Sequence, residues 1–524
     1  MTGFSLKTLF PRSPWQWCLG LTLAALCLWT INLGGVPFRD WDEGYHAFTA
    51  REVYRTGNWW HLTNFGQPYF AKPPLPYWVI TLGYHLTGQI NEWTTRLPLA
   101  VVTALGVPLL YGVGRELFKP PVYGLFIGAV YLTLLPVVRH GRLVMLDGLI
   151  NTCLIGALFC LLRGRSSPPW ALGVGLFLAC IALTKGVLVF ALGGILILFL
   201  LVSRQWETLK NPYLMVGIVL GLVLTGIWYD SQLQKYGQVF FEVHILSQNL
   251  DRLSDAVEGN SGPPWYYLIE LLKYGFPWLL FLPGGLQQAW QERRELWAVL
   301  VGVGTVSYLG LISLMGTKLP WYILPYYPFF ALTVGVYLTR LWQEKPRYSR
   351  FWWGFLVFLA VDGLGGMVYF WLADPQVPLI LMAGVLSVTM GGVAWLMGRQ
   401  DRRFLPVLFV GMYGVLSLLM LSRSWNWEVN EQFPVRGIGA MIRENTPPEQ
   451  VVYTSFAYHR PSLDYYSDRS VQPAAPPQLQ EFWASGHYVL LDAPTLATFE
   501  PEESVIIDTV DGFTLLAPRL KHRE

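Results

Sequence analysis

Apolar positions in this chain arrive in runs of about twenty, long enough to cross a bilayer as helices, the fifth being shorter. The pattern predicts about thirteen such spans. They run 15–35, 95–113, 121–138, 146–163, 170–183, 186–203, 212–230, 265–283, 296–315, 322–340, 351–372, 378–397 and 405–423. Two longer polar gaps interrupt them, 36–93 and the stretch near 231–262. Within the first gap the period is helical rather than extended. Ala47, Ala50 and Tyr54 share a face of a helix opened at Asp40 and closed by Gly57. A second amphipathic helix runs from Leu75 to Thr87, with Gly88 ending it. Both are expected to lie along a membrane surface.

Beyond residue 425 the pattern changes to short strands: Val451–Thr454, His487–Leu491, Val505–Ile507 and Phe513–Leu516. Helices are expected at Pro434–Glu444 and Pro477–Ala484. The expected fold is therefore mainly α, a polytopic membrane domain over 1–424 followed by a small α/β domain over 425–524.

Charge placement orients the spans. With the N-terminus in the cytoplasm, each cytoplasmic connection is basic: Arg115/Lys119, Arg163/Arg165, Arg204/Lys210, Arg293/Arg294, Arg340/Lys345/Arg347/Arg350 and Arg399/Arg402/Arg403. The first long loop and the C-terminal domain then lie on the outer, periplasmic side of the cell inner membrane. Lys7 and Arg12 precede a first apolar run too long for a signal-peptide core, so a retained span is expected.

Composition agrees with a membrane protein. Apolar residues make up 53% of the 524 and charged residues only 14%. A net charge of +3 is too small to attract nucleic acid. Cys18, Cys27, Cys153, Cys160 and Cys180 all fall inside apolar runs, which argues against a disulfide framework or a CxxC metal site.

The residues that resist this bland description lie on the outer side. Asp40, Asp42 and Glu43 place three carboxylates in four positions, and Asp40 with Glu43 resembles a capping box. Capping needs one acid, so two remain to be explained. Lys72 precedes Pro73-Pro74. Arg139, Arg142, Lys185, Arg252 and Lys318 are further cations on the side where basic residues are disfavoured. Asp147 opens the fourth span, and His244 lies in the second outer gap. Each has an ordinary explanation: helix cap, snorkelling cation or structural histidine. Taken together they describe an outer cavity holding an acid and a ring of cations. Such a site suits group transfer from a donor with a phosphate head and an apolar tail. Cations would stabilise the phosphate leaving group and a carboxylate would take the acceptor's proton. No Walker or Rossmann motif is present, so the donor is expected to be lipid-linked.

Asp42-Glu43, Lys72-Pro73-Pro74-Leu75-x-Tyr77-Trp78, Leu183-Thr184-Lys185-Gly186 and Lys318-x-Pro320-x-Tyr322-Ile323-Leu324-Pro325, in this order, resemble the polyprenyl-phosphate-dependent glycosyltransferases of the C-type fold. The similarity points to the aminoarabinose transferases of lipid A and the protein-mannosyltransferase-like group. It implies inverting transfer of a sugar from a polyprenyl phosphate to a lipid, glycan or protein acceptor. It implies Asp42, with Glu43 and Asp147, as catalytic acids. It implies Lys72 on the lipid phosphate, with Tyr322 and His244 near it; Arg142, Lys185, Arg252 and Lys318, the outer-side cations, and Tyr45 and His46 beside the acidic pair are further candidate substrate contacts. Two departures stand out. Tyr45-His46 replaces the Arg-Tyr that follows the acidic pair in the lipid A enzymes. Ala71 replaces the Glu that precedes their lysine, which weakens the case for a divalent metal at that loop. Neither aminoarabinose nor lipid A is carried over as substrate. A transporter or flippase of a lipid-linked sugar is the alternative, but it would place charges at mid-membrane in repeated halves. A noncatalytic scaffold would leave the loop acids and Lys72 without a role.

Overall fold

The computed structural model describes residues 13–40, 42–251, 259–344, 348–427, 433–499 and 505–518. It is mainly helical, and the chain divides into two compact units. One is Met1–Leu33, Phe70–Val79 and Leu97–Trp425; the other is Gly34–Tyr69, Ile80–Arg96 and Asn426–Glu524. The first long loop is thus divided between them, whereas the sequence boundary at 424/425 assigned it wholly to the membrane part.

Among the described residues of the first unit, eight helices are long and apolar enough to cross a membrane, or nine if a bent pair counts as one span. The eight are Glu92–Leu117, Leu146–Arg163, Pro168–Lys185, Pro212–Gln248, Leu296–Leu314, Arg350–Ala373, Val377–Gly398 and Phe404–Leu421, the first of which begins in the second unit. Their surfaces carry the signature of lipid contact. Phe358, Val361, Leu364, Trp371 and Leu372 of Arg350–Ala373 are all more than half exposed, which water would penalise.

The expected thirteen spans are not all single long helices. The third is a pair, Pro121–Leu132 and Leu135–Arg142, bent by 64°. The eighth, expected over 265–283, is two short helices, Tyr266–Tyr274 and Leu282–Gln291. Gly275 and Pro277 interrupt it, and Pro277 offers no N–H to continue the ladder. The runs at Pro14–Thr30 and Leu188–Val202 are helical but shorter than eighteen residues.

The second unit is built on a five-stranded sheet. Its order is Ser470–Pro473, Val451–Thr454, Tyr488–Asp492, Phe513–Leu516, Ile506–Val510; the first three strands are parallel and the remaining pairings antiparallel. One face packs Ile438, Met441 and Ile442 of helix Val435–Asn445 against Val452, Val471, Leu490 and Leu515. The other packs Leu479, Trp483 and Phe499 against Val489, Leu491 and Leu516. The alternation of inward positions along each strand supplies both faces. The strand Ser470–Pro473 and the helices Pro461–Ser467 and Ala493–Phe499 add to the elements expected from sequence.

Both expected loop helices form, as Asp42–Thr56 and Leu75–Thr87. Gly57 and Gly88 follow them with φ of +69° and +66°, the left-handed closure that favours glycine. Asp42–Thr56 is not a surface helix with one apolar face. His46, Ala47, Phe48, Thr49, Ala50 and Arg51 are buried in succession, so more than a full turn is covered on every side. Two of its buried polar side chains find partners differently: Thr49 Oγ1 donates within the helix to Tyr45 O at 2.9 Å, and Arg51 Nη1 donates outside it to Tyr465 O at 2.6 Å.

Candidate active site

In the second unit the three acids of the first loop separate by role. The Asp40 carboxylate receives Arg460 Nη1 at 2.6 Å and the Ser462 hydroxyl. Glu43 is buried against Arg96. Nε reaches Oε1 at 2.7 Å and Nη2 reaches Oε2 at 2.7 Å, a bidentate pair. Glu43 Oε2 also accepts from the backbone N–H of Arg39 at 3.3 Å, reaching back across the helix start as a capping residue does. Arg96 is held in turn by Val36 O at 2.7 Å and Pro37 O at 3.2 Å. Asp42 is half-buried at the first position of its helix. Among the described residues its carboxylate has no hydrogen-bond or ion-pair partner. A carboxylate left available beside two committed ones is what a proton acceptor requires.

Tyr45 follows on the next turn, half-buried, with its ring 6.1 Å from Tyr69 and 6.2 Å from His459. Burial raises its phenol above the ordinary value, and the charge of Asp464 adds to the shift, so it stays protonated. His46 is buried, 3% exposed.

In the first unit a second constellation forms. Lys185 Nζ lies 2.7 Å from Asp147 Oδ1 and 4.7 Å from the centre of the Tyr322 ring. The Tyr322 carbonyl is fixed by the Tyr308 hydroxyl at 2.8 Å. The Lys72 segment is anchored nearby in the same unit. Phe70, Leu75 and Trp78 pack on a cluster of Leu183, Trp228 and Phe240, so residues two before Lys72 and two before Lys185 share one apolar patch. His244 bonds Phe70 O through Nδ1 at 2.7 Å and Tyr229 Oη through Nε2 at 3.1 Å, and its ring stacks on Phe240 at 4.9 Å. Lys72 Nζ faces Gln248 Oε1 at 3.5 Å.

Two expected phosphate contacts have other work. Arg142 is fully buried, donating to Leu28 O at 2.8 Å and to Ile31 O, with its guanidinium 4.5 Å from the Trp425 ring. It closes the C-terminus of the first helix, where a cation suits the open carbonyls. Lys318 is 5% exposed and donates to Ser313 O at 2.9 Å and Met315 O at 2.7 Å, the same duty at the end of Leu296–Leu314. Arg252 lies outside the described residues. Among the described residues no three His, Cys, Asp or Glu side chains gather as a metal site.

Sequence reasoning missed Arg96, Arg460 and Tyr229. Arg96 carried a usable signal, being a cation at the head of an apolar run, which asks for a buried partner. Arg460 and Tyr229 carried none.

Each unit thus carries its own cluster of charged residues beside membrane-length helices, and similarity to known proteins gives the class. The family described as dolichyl-phosphate-mannose-protein mannosyltransferase matches residues 71–229. An undecaprenyl phosphate-α-4-amino-4-deoxy-L-arabinose arabinosyl transferase of Pseudomonas fluorescens (strain Pf-5) is 31% identical over 378 residues, 69% of this chain and 67% of that one. The corresponding transferase of Edwardsiella ictaluri is 28% identical over 490 residues, 91% of this chain and 82% of that one. The crystal structure of ArnT from Cupriavidus metallidurans bound to undecaprenyl phosphate superposes with a TM-score of 0.78 at 21% identity, covering 96% of this chain and 98% of that one. The chain belongs to the aminoarabinose-transferase-related family of C-type-fold glycosyltransferases. It is an integral-membrane glycosyltransferase of the class that takes its sugar from a polyprenyl-phosphate-linked donor.

Proposed function

We propose that the enzyme moves one sugar, with inversion, from undecaprenyl phosphate to a lipid, glycan or protein acceptor on the outer face of the inner membrane. The donor class follows the relatives, whose names specify undecaprenyl phosphate-linked aminoarabinose. The observation that carries the mechanism is Asp42, the one acid of its cluster left unpartnered among the described residues. Asp42 orients the acceptor nucleophile and takes its proton as the new glycosidic bond forms. The bond from the anomeric carbon to the phosphate oxygen breaks on the opposite side, and undecaprenyl phosphate leaves. Lys72 holds that phosphate and stabilises its developing charge. Lys185, set between Asp147 and Tyr322, and His244, which fixes the Phe70 carbonyl, shape the donor side. Glu43 holds the helix that carries Asp42 rather than moving a proton, since both its oxygens are committed to Arg96.

The shorter and broken helices cross the membrane with the long ones, giving about thirteen crossings. Loop charge then places the N-terminus in the cytoplasm and the C-terminal domain outside.

The test uses full-length protein in lipid nanodiscs, a panel of defined undecaprenyl phosphate sugars and an envelope extract as acceptor. Mass spectrometry reads the product, and release of undecaprenyl phosphate gives the rate. Asp42→Asn should remove turnover by a factor on the order of 10²–10⁴ while the protein stays folded. Retained turnover would eliminate Asp42 as the base.

A further inference from the structure

We infer that the C-terminal α/β domain is a positioning element for Asp42, acting through Arg460 and the start of helix Pro461–Ser467. The inference rests on the assignment of Asp42 as the base.

Contacts at four positions, Asp40, Gly44, Arg51 and Arg55, run along helix Asp42–Thr56 and its entrance. At its entrance, Arg460 Nη1 and the Ser462 hydroxyl both hold Asp40, two residues before Asp42. The Arg460–Asp40 pair is largely buried, with side chains 11% and 7% exposed. The Arg460 guanidinium is itself seated on rings from its own domain, 4.1 Å from Phe433, 5.0 Å from Phe456 and 4.7 Å from Tyr458. Two residues after Asp42, Gly44 meets Ser462 backbone to backbone. A Cβ there would lie 2.5 Å from Ser462 N and 2.9 Å from the Pro461 carbonyl carbon, so the helix start approaches to a distance only glycine allows. Further along, Arg51 bonds Tyr465 O at 2.6 Å, and Arg55 pairs with Asp468 at 2.6 Å.

The arrangement exceeds what docking a helix requires. Asp40 and Glu43 flank Asp42, and each is neutralised by its own arginine. Their charges therefore do not compete for the ligands or protons meant for Asp42. The polypeptide on both sides of Asp42 is held within two residues. A base fixed in this way keeps its direction toward the acceptor, and a displacement of about 1 Å can cost as much as 10²-fold in rate. The contacts come from residues more than four hundred positions away in the chain, which gives the C-terminal domain a part in the chemistry without placing it on substrate.

The experiment measures kcat and donor KM for Arg460→Met, Arg460→Lys and Ser462→Ala in full-length protein. The donor is whichever member of the undecaprenyl phosphate sugar panel supports turnover, and rates are normalised to folded, monodisperse protein. Arg460→Met should lower kcat on the order of tenfold with donor KM within about twofold. Arg460→Lys should recover part of the loss. Unchanged kcat, or a rise in donor KM matching the fall in kcat, overturns the inference. If Arg460→Met does not fold, Ser462→Ala decides by the same criterion, with a smaller expected loss of about threefold. Active Asp42→Asn would refute the base assignment itself. Inactive Asp42→Asn beside a normal Arg460→Met and Ser462→Ala would refute this inference alone.

Discussion

Glu43 and Arg96 form a bidentate ion pair with two contacts of 2.7 Å, at side-chain exposures of 4% and 0%. Breaking one side of such a pair strands a charge away from water. Arg96→Met should destabilise the protein by about 3–5 kcal/mol, and Glu43→Gln in the same protein should restore part of that loss. Thermal unfolding of the single and double variants reads the effect. An Arg96→Met protein as stable as wild type would refute the pairing.

Lys72 is assigned to the donor phosphate, so its loss should be felt on one substrate only. Lys72→Ala is expected to raise donor KM about tenfold or more, the scale of a charged hydrogen bond, with acceptor KM nearly unchanged. Steady-state titration of each substrate separates the two. Equal effects on both would remove the phosphate contact.

Asp147 and Lys185 should behave as one unit. A double-mutant cycle of Asp147→Asn and Lys185→Met is expected to show a coupling of roughly 1–3 kcal/mol in unfolding free energy, because the pair is mostly buried at 2.7 Å. Additive losses would show that the contact contributes nothing.

The C-terminal domain should lose stability as pH rises through neutrality. Burial alone would lower the His459 imidazole, but its 2.6 Å contact with Asp464, and the charges of Asp464 and Asp40, hold it above the ordinary value of 6.5. That stabilisation is complete below 6.5 and is lost as pH climbs through the raised folded value. Asp464 works in the same direction at lower pH. Burial raises it above 3.8, against the pull of His459, so its ionisation also costs the folded state. Hydrogen-exchange protection factors in Val451–Thr454 and Tyr488–Asp492, corrected for the intrinsic exchange rate at each pH, should therefore be higher at pH 6 than at pH 8, and His459→Gln should flatten the difference. Equal protection at both values in wild type would contradict the pair.

The motif order and the long helices were readable from residues alone because each depends on local information. A run of apolar residues commits to a helix in lipid wherever it lies, and Gly57 and Gly88 end their helices through backbone freedom that needs no distant partner. The same holds for Val451–Thr454 and Phe513–Leu516, whose pattern and bounds match their strands.

Which charged residue does what was not readable, because charges choose partners through space. Asp40, Asp42 and Glu43 look equivalent along the chain, yet Arg460 and Arg96, distant in sequence, occupy two of them and leave the third available among the described residues. Arg142 and Lys318 carry the same charge as Lys72 and Lys185, but helix carbonyls claim both. The sequence by itself determined the class of enzyme and the residues eligible for its chemistry. The tertiary structure decided which of them are spent on the fold, since a buried charge takes the nearest partner that repays its lost hydration.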